Sequence, residues 1–362
     1  MPVIDQILES RRIVITCGTG GVGKTTLSAA LAMRAALHGR KAVVITIDPA
    51  KRLAHSLGLE SLGDEPLDLT PHLREALGAN ASQELTGSLA AIMPDSRKTF
   101  ETFVRSLTSD PKTAERVFQN PIFQIFSKEF SGTNEYMALQ RLYGLHAQGQ
   151  YDCIILDTPP SRDTLAFLDA PQLLAQFFDE RLIKWLVLPT NKLVSSGMRR
   201  ALGLLESLTG AGFMTHLFDF AHALFEVRAT FSSRLHEVLA LLQSDQAGFL
   251  LVAAPSPDSA PEIDHFISSV TEHGFHFDGI AINRTLGYLS LPDSPGALDD
   301  KTREALNLLR ALQRREEVAV KGLLSETQAI PFHCLLPELA RDVHSVEDLL
   351  HVALALDSHT RS

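Results

Sequence analysis

One octapeptide restricts this chain to a narrow set of folds. Ile13–Cys17 is an apolar, β-branched run, Gly18-Thr19-Gly20-Gly21-Val22-Gly23-Lys24-Thr25 follows directly, and the helix-favouring LSAALAMRAAL comes after Thr26. Strand, glycine-rich turn and helix in that order, with the pattern G-x-x-x-x-G-K-T, predict a loop whose backbone N–H groups converge on phosphate oxygens. The glycines permit backbone angles that side chains forbid, and the helix N-terminus adds partial positive charge to the same point. Lys24 is expected to reach the β- and γ-phosphates, and the Thr25 hydroxyl to ligate Mg²⁺. The expected ligands are therefore ATP and Mg²⁺. The nucleotide-contacting set is Gly18, Thr19, Gly20, Gly21, Val22, Gly23, Lys24, Thr25 and Thr26.

The rest of the chain repeats the alternation of short apolar runs with longer helical patterns. Further strands are expected at Ala42–Ile47, Cys153–Asp157, Gly248–Ala253, Gly279–Asn283 and Phe332–Leu336, with another at Ser88–Met93. These runs are continuous rather than alternating, as in strands buried on both faces. The fold class is α/β: a P-loop NTPase with a mostly parallel sheet flanked by helices and a helical insertion subdomain. Residues 1–362 read as a single P-loop ATPase domain with helical insertions at about 97–148 and 171–245. Tyr151-Asp152-Cys153-Ile154-Ile155-Leu156-Asp157 is an apolar strand ending in a carboxylate, placing Asp157 where the Mg²⁺ hydration shell must be held. Thr158-Pro159-Pro160 then reads as a switch segment leaving the sheet. In the second insertion, which also holds Trp185, Leu186, Val187 and Leu188, the positions Leu217, Phe220, Leu224 and Phe231 share one helical face. That face either packs on its own domain or meets a partner.

Composition removes several function classes. The net charge is −10 and no Lys/Arg stripe is present, so neither nucleic acid nor an anionic membrane surface is an expected partner. No run reaches the roughly 18–20 apolar residues of a spanning helix, so no integral membrane segment is expected. The first residues, MPVIDQILESRR, lack a signal-peptide pattern, and a cytoplasmic protein is expected. Cys17, Cys153 and Cys334 each lie in or beside a strand-like run and read as buried structural thiols. His216, Asp219 and His222 recur at steps of three and read as a half-exposed helix rather than a metal site. His273 and His276 have no clustered Cys or acid partner.

Taken together, GTGGVGKTT, VITIDPAKRLAHSLG, SGTNEYMAL, DCIILDTPPSRDTLAFL, GIAINRT and LPELARDVHSVEDLL resemble the ArsA-type ATPases, which comprise arsenite-pump and tail-anchored-protein targeting ATPases. The likeness is to bacterial members and spans nearly the whole chain. It implies a homodimer in which Asp48 orients and activates the attacking water; the bland alternative, a helix cap before Pro49, is compatible with that role. Asn283 is implied to read the adenine edge, and Pro337 and Glu338 to lie near the base. Gly132 and Glu135 match a Gly-x-x-Glu segment of no derivable role. The resemblance also implies a second lysine at the position of Thr19, which this chain lacks; Arg52 and Arg162 are candidate substitutes. No C-x-x-C pair is present to hold a dimer zinc, and three thiols in separate strands are poorly placed for arsenite. The reading that follows is a Mg²⁺-dependent ATPase acting as a dimeric switch for a hydrophobic or membrane-protein client. The alternatives are an arsenite- or antimonite-stimulated pump subunit, a MinD/ParA-like positioning ATPase, or a small-molecule kinase. Client chemistry is weakly marked, with only Met198 and Met214 among the methionines in the second insertion.

Overall fold

The computed structural model describes residues 3–47, 52–107, 110–121, 124, 133–158, 212–256, 259–287, 289, 291–292, 299–326, 330–339, 342–356 and 360–361. In chain order these begin α1 (Val3–Ser10), β1 (Ile13–Cys17), α2 (Lys24–Leu37), β2 (Lys41–Thr46), α3 (Arg52–Ser56), β3 (Leu67–Asp68), α4 (Thr70–Ala81) and β4 (Ser88–Ile92). There follow α5 (Ser96–Ser106), α6 (Pro111–Gln119), α7 (Thr133–Gln148), β5 (Cys153–Asp157) and α8 (Phe213–Gln243). The last are β6 (Ala247–Ala253), α9 (Ala260–Glu272), β7 (Phe277–Thr285), α10 (Asp300–Glu326), β8 (His333–Pro337), α11 (Val346–Ala355) and β9 (Thr360–Arg361). The chain divides into two compact units: residues 1–93, 144–165 and 241–362 form the first, and 94–143 and 166–240 the second.

The first unit is built on a nine-stranded sheet of order β3-β4-β2-β5-β1-β6-β7-β8-β9. Every pairing is parallel except those of the two-residue edge strands β3 and β9. Each strand expected from the sequence forms, with ends shifted by a residue or two. The edge strands were not foreseen, because two residues carry no periodicity. β1, β5 and β6 are buried along their whole length, which is why their runs do not alternate. β8 departs from that expectation: its burial alternates, since its outer neighbour is only the short β9. β1 is central, with β5 on one side and β6 on the other. The chain passes from β1 to β2 on one side of it and later from β5 to β6 on the other, so a crevice opens at the carboxyl end of β1, the usual ligand position in such sheets.

The helix after the loop, α2, is buried on nearly every side, and Ala29, Ala30, Ala32, Ala35 and Ala36 all lie in the core. Small side chains let its backbone approach the sheet closely, which fixes its N-terminus over the ends of the strands. Arg34 anchors it further, pairing with the buried Asp5 of α1 and donating from Nη1 to Ala353 O of α11 at 2.9 Å.

The second unit has its own core, in which Phe100, Phe103, Tyr136, Phe220, Val227 and Phe231 are buried together. Phe103 meets Tyr136 edge-on at 5.6 Å and Phe231 at 5.7 Å, the geometry that ring quadrupoles favour. The Tyr136 hydroxyl accepts from Gln140 Nε2 at 2.5 Å, and burial pushes its pKa up. Phe220 and Phe231 of the face read from the sequence are therefore engaged in the unit's own packing. The Leu224 and Met214 side chains, Met198 and Trp185–Leu188 lie outside the described residues.

Candidate nucleotide-binding site

β1 delivers the chain into the crevice at Gly18, whose φ is +149°; a Cβ there would sit 2.2 Å from Val252 O of β6. The loop closes on Gly23, φ +86°, where a Cβ would lie 2.2 Å from Asn283 Nδ2. Only glycine satisfies both positions. Gly23 is also the N-cap of α2 and supplies no side-chain acceptor, so no cap competes for the first-turn N–H groups. The helix dipole adds partial positive charge at the same point, which favours an anion there. Lys24 is 5% exposed, and its Nζ donates to Gly18 O at 3.1 Å, spanning the loop.

Asp157 ends β5 fully buried, and three hydroxyls converge on it. Thr25 Oγ1 donates to Oδ2 at 2.8 Å, Thr46 Oγ1 to the same oxygen at 2.9 Å, and Ser28 Oγ lies 3.3 Å from Oδ1. Behind them, Thr16 Oγ1 and Ser28 Oγ are 2.6 Å apart. Burial pushes the Asp157 carboxyl up to about 6, against the pull of the Thr25 and Thr46 hydroxyls and the Lys24 charge. A carboxylate and a hydroxyl 2.8 Å apart form an all-oxygen donor pair suited to a hard divalent cation, whose charge would relieve that burial penalty. The sequence pointed to Thr25 and Asp157 but not to Ser28, Thr46 or Thr16. Ser28 could have been found from helical spacing, one turn beyond Thr25. Thr46 lies opposite Asp157 only because β2 neighbours β5, which strand order alone decides.

Beside the loop is a cavity of about 100 Å³ lined by Gly23, Thr26, Asn283, Leu336, Pro337, Glu338 and Val352, among others. It gathers the three residues that the resemblance associated with the base. Asn283 is turned inward by a bulge, the register of β7 on β8 shifting between Ile282 and Thr285. Arg284 in that bulge has φ +64°, a left-handed conformation that costs roughly 1–2 kcal/mol for a non-glycine residue. Hydrogen bonds from Thr285 Oγ1 to Leu336 O at 3.0 Å and from Glu338 N to Thr285 O at 2.9 Å hold it in place. The apolar wall from α11 was not read from the sequence, since it depends on how that helix packs.

Asp48, Arg162 and Gly132 lie outside the described residues, as does the Glu135 side chain. Arg52 is exposed at the start of α3. His216, Asp219 and His222 are exposed on α8, and no cluster of His, Cys, Asp or Glu able to hold a metal ion occurs among the described residues. All three cysteines are buried, and burial pushes their thiols up, to about 12 at Cys17, about 11 at Cys153 and about 12 at Cys334. Cys17 and Cys153 occupy opposite ends of neighbouring strands, separated by about 16 Å along them. Cys334 lies three strands from Cys17, about 14 Å across the sheet.

The profile of the anion-transporting ATPases matches residues 11–301, which takes in the phosphate loop, Asp157 and Asn283. The chain belongs to the ArsA-type ATPase family. It is an ArsA-type P-loop ATP hydrolase. A protein of Aquifex aeolicus provisionally named arsenical pump-driving ATPase 2 is 24% identical over 289 residues, 78% of this chain and 82% of its own length. A relative in Prosthecochloris vibrioformis, provisionally named arsenical pump-driving ATPase, is 29% identical over 187 residues; the match spans 51% of this chain and only 42% of that protein. ATPase GET3 of Phaeosphaeria nodorum is 23% identical over 341 residues, 93% of each chain. In this ArsA-type ATPase no described helix is long and apolar enough to cross a membrane.

Proposed function

We propose that this ATPase is a Mg²⁺-dependent, nucleotide-driven switch that acts as a homodimer and relays γ-phosphate occupancy to a helical region binding a hydrophobic or membrane-protein client. The observation carrying this reading is the pair of hydrogen bonds that Asp157 Oδ2 accepts, from the Thr25 hydroxyl after the phosphate loop and from the Thr46 hydroxyl at the end of β2. One carboxylate oxygen thus ties the loop to the strand ends from which residues 47–48 and 158–160 depart. In this reading Lys24 leaves Gly18 O for the β- and γ-phosphates, while the loop N–H groups hold the phosphate chain and exclude water from its inner face. Thr25 and Asp157 would hold Mg²⁺ through its hydration shell; when bound, the ion would neutralise negative charge on the phosphates. Asp48 orients the attacking water and takes its proton. Thr19 cannot supply a cation across a dimer, so Arg52 or Arg162 takes that part.

A γ-phosphate that orders the segments after Thr46 and Asp157 makes contacts ADP lacks, and only such differential affinity can shift a two-state equilibrium. Sedimentation with a slowly hydrolysed ATP analogue and Mg²⁺ is expected to show a dimer, and ADP a monomer. Hydrogen exchange should change in 213–240 with the analogue only. Protection confined to the loop, with no change of mass, would leave an ATPase without the switch.

Relatives named for arsenical pumps raise a second reading, against which the thiols speak. Sulfurs sharing one soft centre lie about 4 Å apart, whereas each pair of these cysteines is separated by about 14 Å or more. Arsenite is expected to leave the ATPase rate unchanged, and iodoacetamide to label the cysteines only after unfolding, because thiols raised this far carry almost no thiolate near neutrality. Several-fold stimulation that vanishes in Cys→Ser variants would restore the pump reading.

A further inference from the structure

Half of the large apolar side chains exposed among the described residues lie on one helix. On α10, Leu308 is 62% exposed, Leu312 41% and Val318 71%; the others, Leu67, Leu339 and Leu354, lie on three separate segments. Single exposed leucines need no account, but two placed one turn apart on a helix form a patch. The inner side of α10 is engaged elsewhere. Leu306, Val320 and Leu323 are buried, and two polar side chains hold the loop after β7. Glu316 accepts from Leu286 N at 2.8 Å and from Gly287 N at 3.1 Å, and Gln313 Nε2 donates to Leu286 O and Leu289 O, each at 2.8 Å. The helix is thus fixed at several points along its length, and its outer side is a preformed surface.

The charges beside the patch decide what fits it. Glu304 stands one turn before Leu308, and Arg315 follows Leu312 by three residues. Positions 304 and 315 are about three turns apart, so both fall on the side of the helix that carries the two leucines. Both side chains are exposed, and neither has an ion-pair partner among the described residues. The leucines and the charges also share a midpoint, at position 310 for the first pair and between 309 and 310 for the second. An antiparallel copy of the same helix, related by a two-fold axis through that point, sets Leu308 against Leu312 and Glu304 against Arg315, each twice. The chain carries a net charge of −10, so two copies approach against repulsion, and locally matched charges favour this register over others.

We propose that the outer side of α10 is a self-association surface on which a second copy of this chain docks with its own α10 antiparallel. The contact is separate from the nucleotide-driven dimer and does not rest on it, since none of its residues belongs to the phosphate loop or lines the cavity beside it. One helix per copy keeps the contact below about 1,200 Å², the size of weak and transient associations. Dilute protein therefore stays single, and pairing sets in as the concentration rises through the micromolar range.

The test is sedimentation equilibrium of the full chain without nucleotide, over about 1–100 µM. The wild-type mass is expected to rise towards that of two copies. Glu304→Arg and Arg315→Glu each make both charged contacts repulsive and should weaken pairing about tenfold or more. An equimolar mixture of the two variants should pair as the wild type does, because opposite charges again face each other at both contacts; the double variant should do the same. Circular dichroism and ATPase rate should not change, as both side chains are exposed and outside the nucleotide site. A wild-type mass that stays at one copy throughout would overturn the proposal and leave the patch to a partner of another kind. So would association that either charge reversal leaves intact, or that the mixture fails to restore, since the contact then lies elsewhere or in another orientation. Dilute Glu304→Arg with the slowly hydrolysed analogue and Mg²⁺ is expected to dimerise as the wild type does. Loss of that dimer in the variant alone would overturn the separation of the two surfaces, whereas its absence in both proteins removes the switch and leaves the helix pairing standing.

Discussion

Lys24→Ala is expected to lower ATP affinity by about 10² or more, equivalent to roughly 3 kcal/mol. The lysine is 5% exposed and spans the loop to Gly18 O, so its ammonium meets the phosphates in a place largely shielded from water. A charge-assisted bond there has no solvent substitute. The fold should survive, because alanine is the better helix former at the start of α2 and the change removes a buried charge. Calorimetry with circular dichroism separates the two effects. Affinity unchanged in a folded variant would remove the assignment of this loop to phosphate.

Asp48→Asn is expected to act on a different quantity. Turnover should fall by about 10² or more while Mg·ATP affinity stays within a few fold, the pattern of a lost water-orienting base. Asp48 comes two residues after the end of β2, and Ile47 N, just before it, lies 3.5 Å from the main-chain O of Asp157, whose carboxylate Thr25 and Thr46 hold. Should turnover fall only as far as affinity does, Asp48 is a helix cap, as an Asp before Pro49 also allows.

The phosphate loop was legible in the sequence because each of its requirements is local. A strand, residues that must be glycine for backbone reasons, a lysine and a helix occur within one short run, and Gly18 and Gly23 meet those requirements in the structure. The sheet was legible for a related reason: strands buried on both faces, such as β1, β5 and β6, need unbroken apolar runs, and those stand out. Strand order left no such mark. That Thr46 meets Asp157 depends on β2 lying beside β5, and that Asn283 meets Val22 depends on a bulge 261 residues away along the chain. Neither relation has a period or a motif, because each is set by which surfaces pack together. Sequence alone determined that the chain binds phosphate on a parallel sheet, since backbone geometry and burial are written residue by residue. Only the tertiary structure decided which hydroxyls hold the carboxylate and which amide steadies the loop, because hydrogen bonds between distant strands exist only once hydrophobic packing has fixed their order and register.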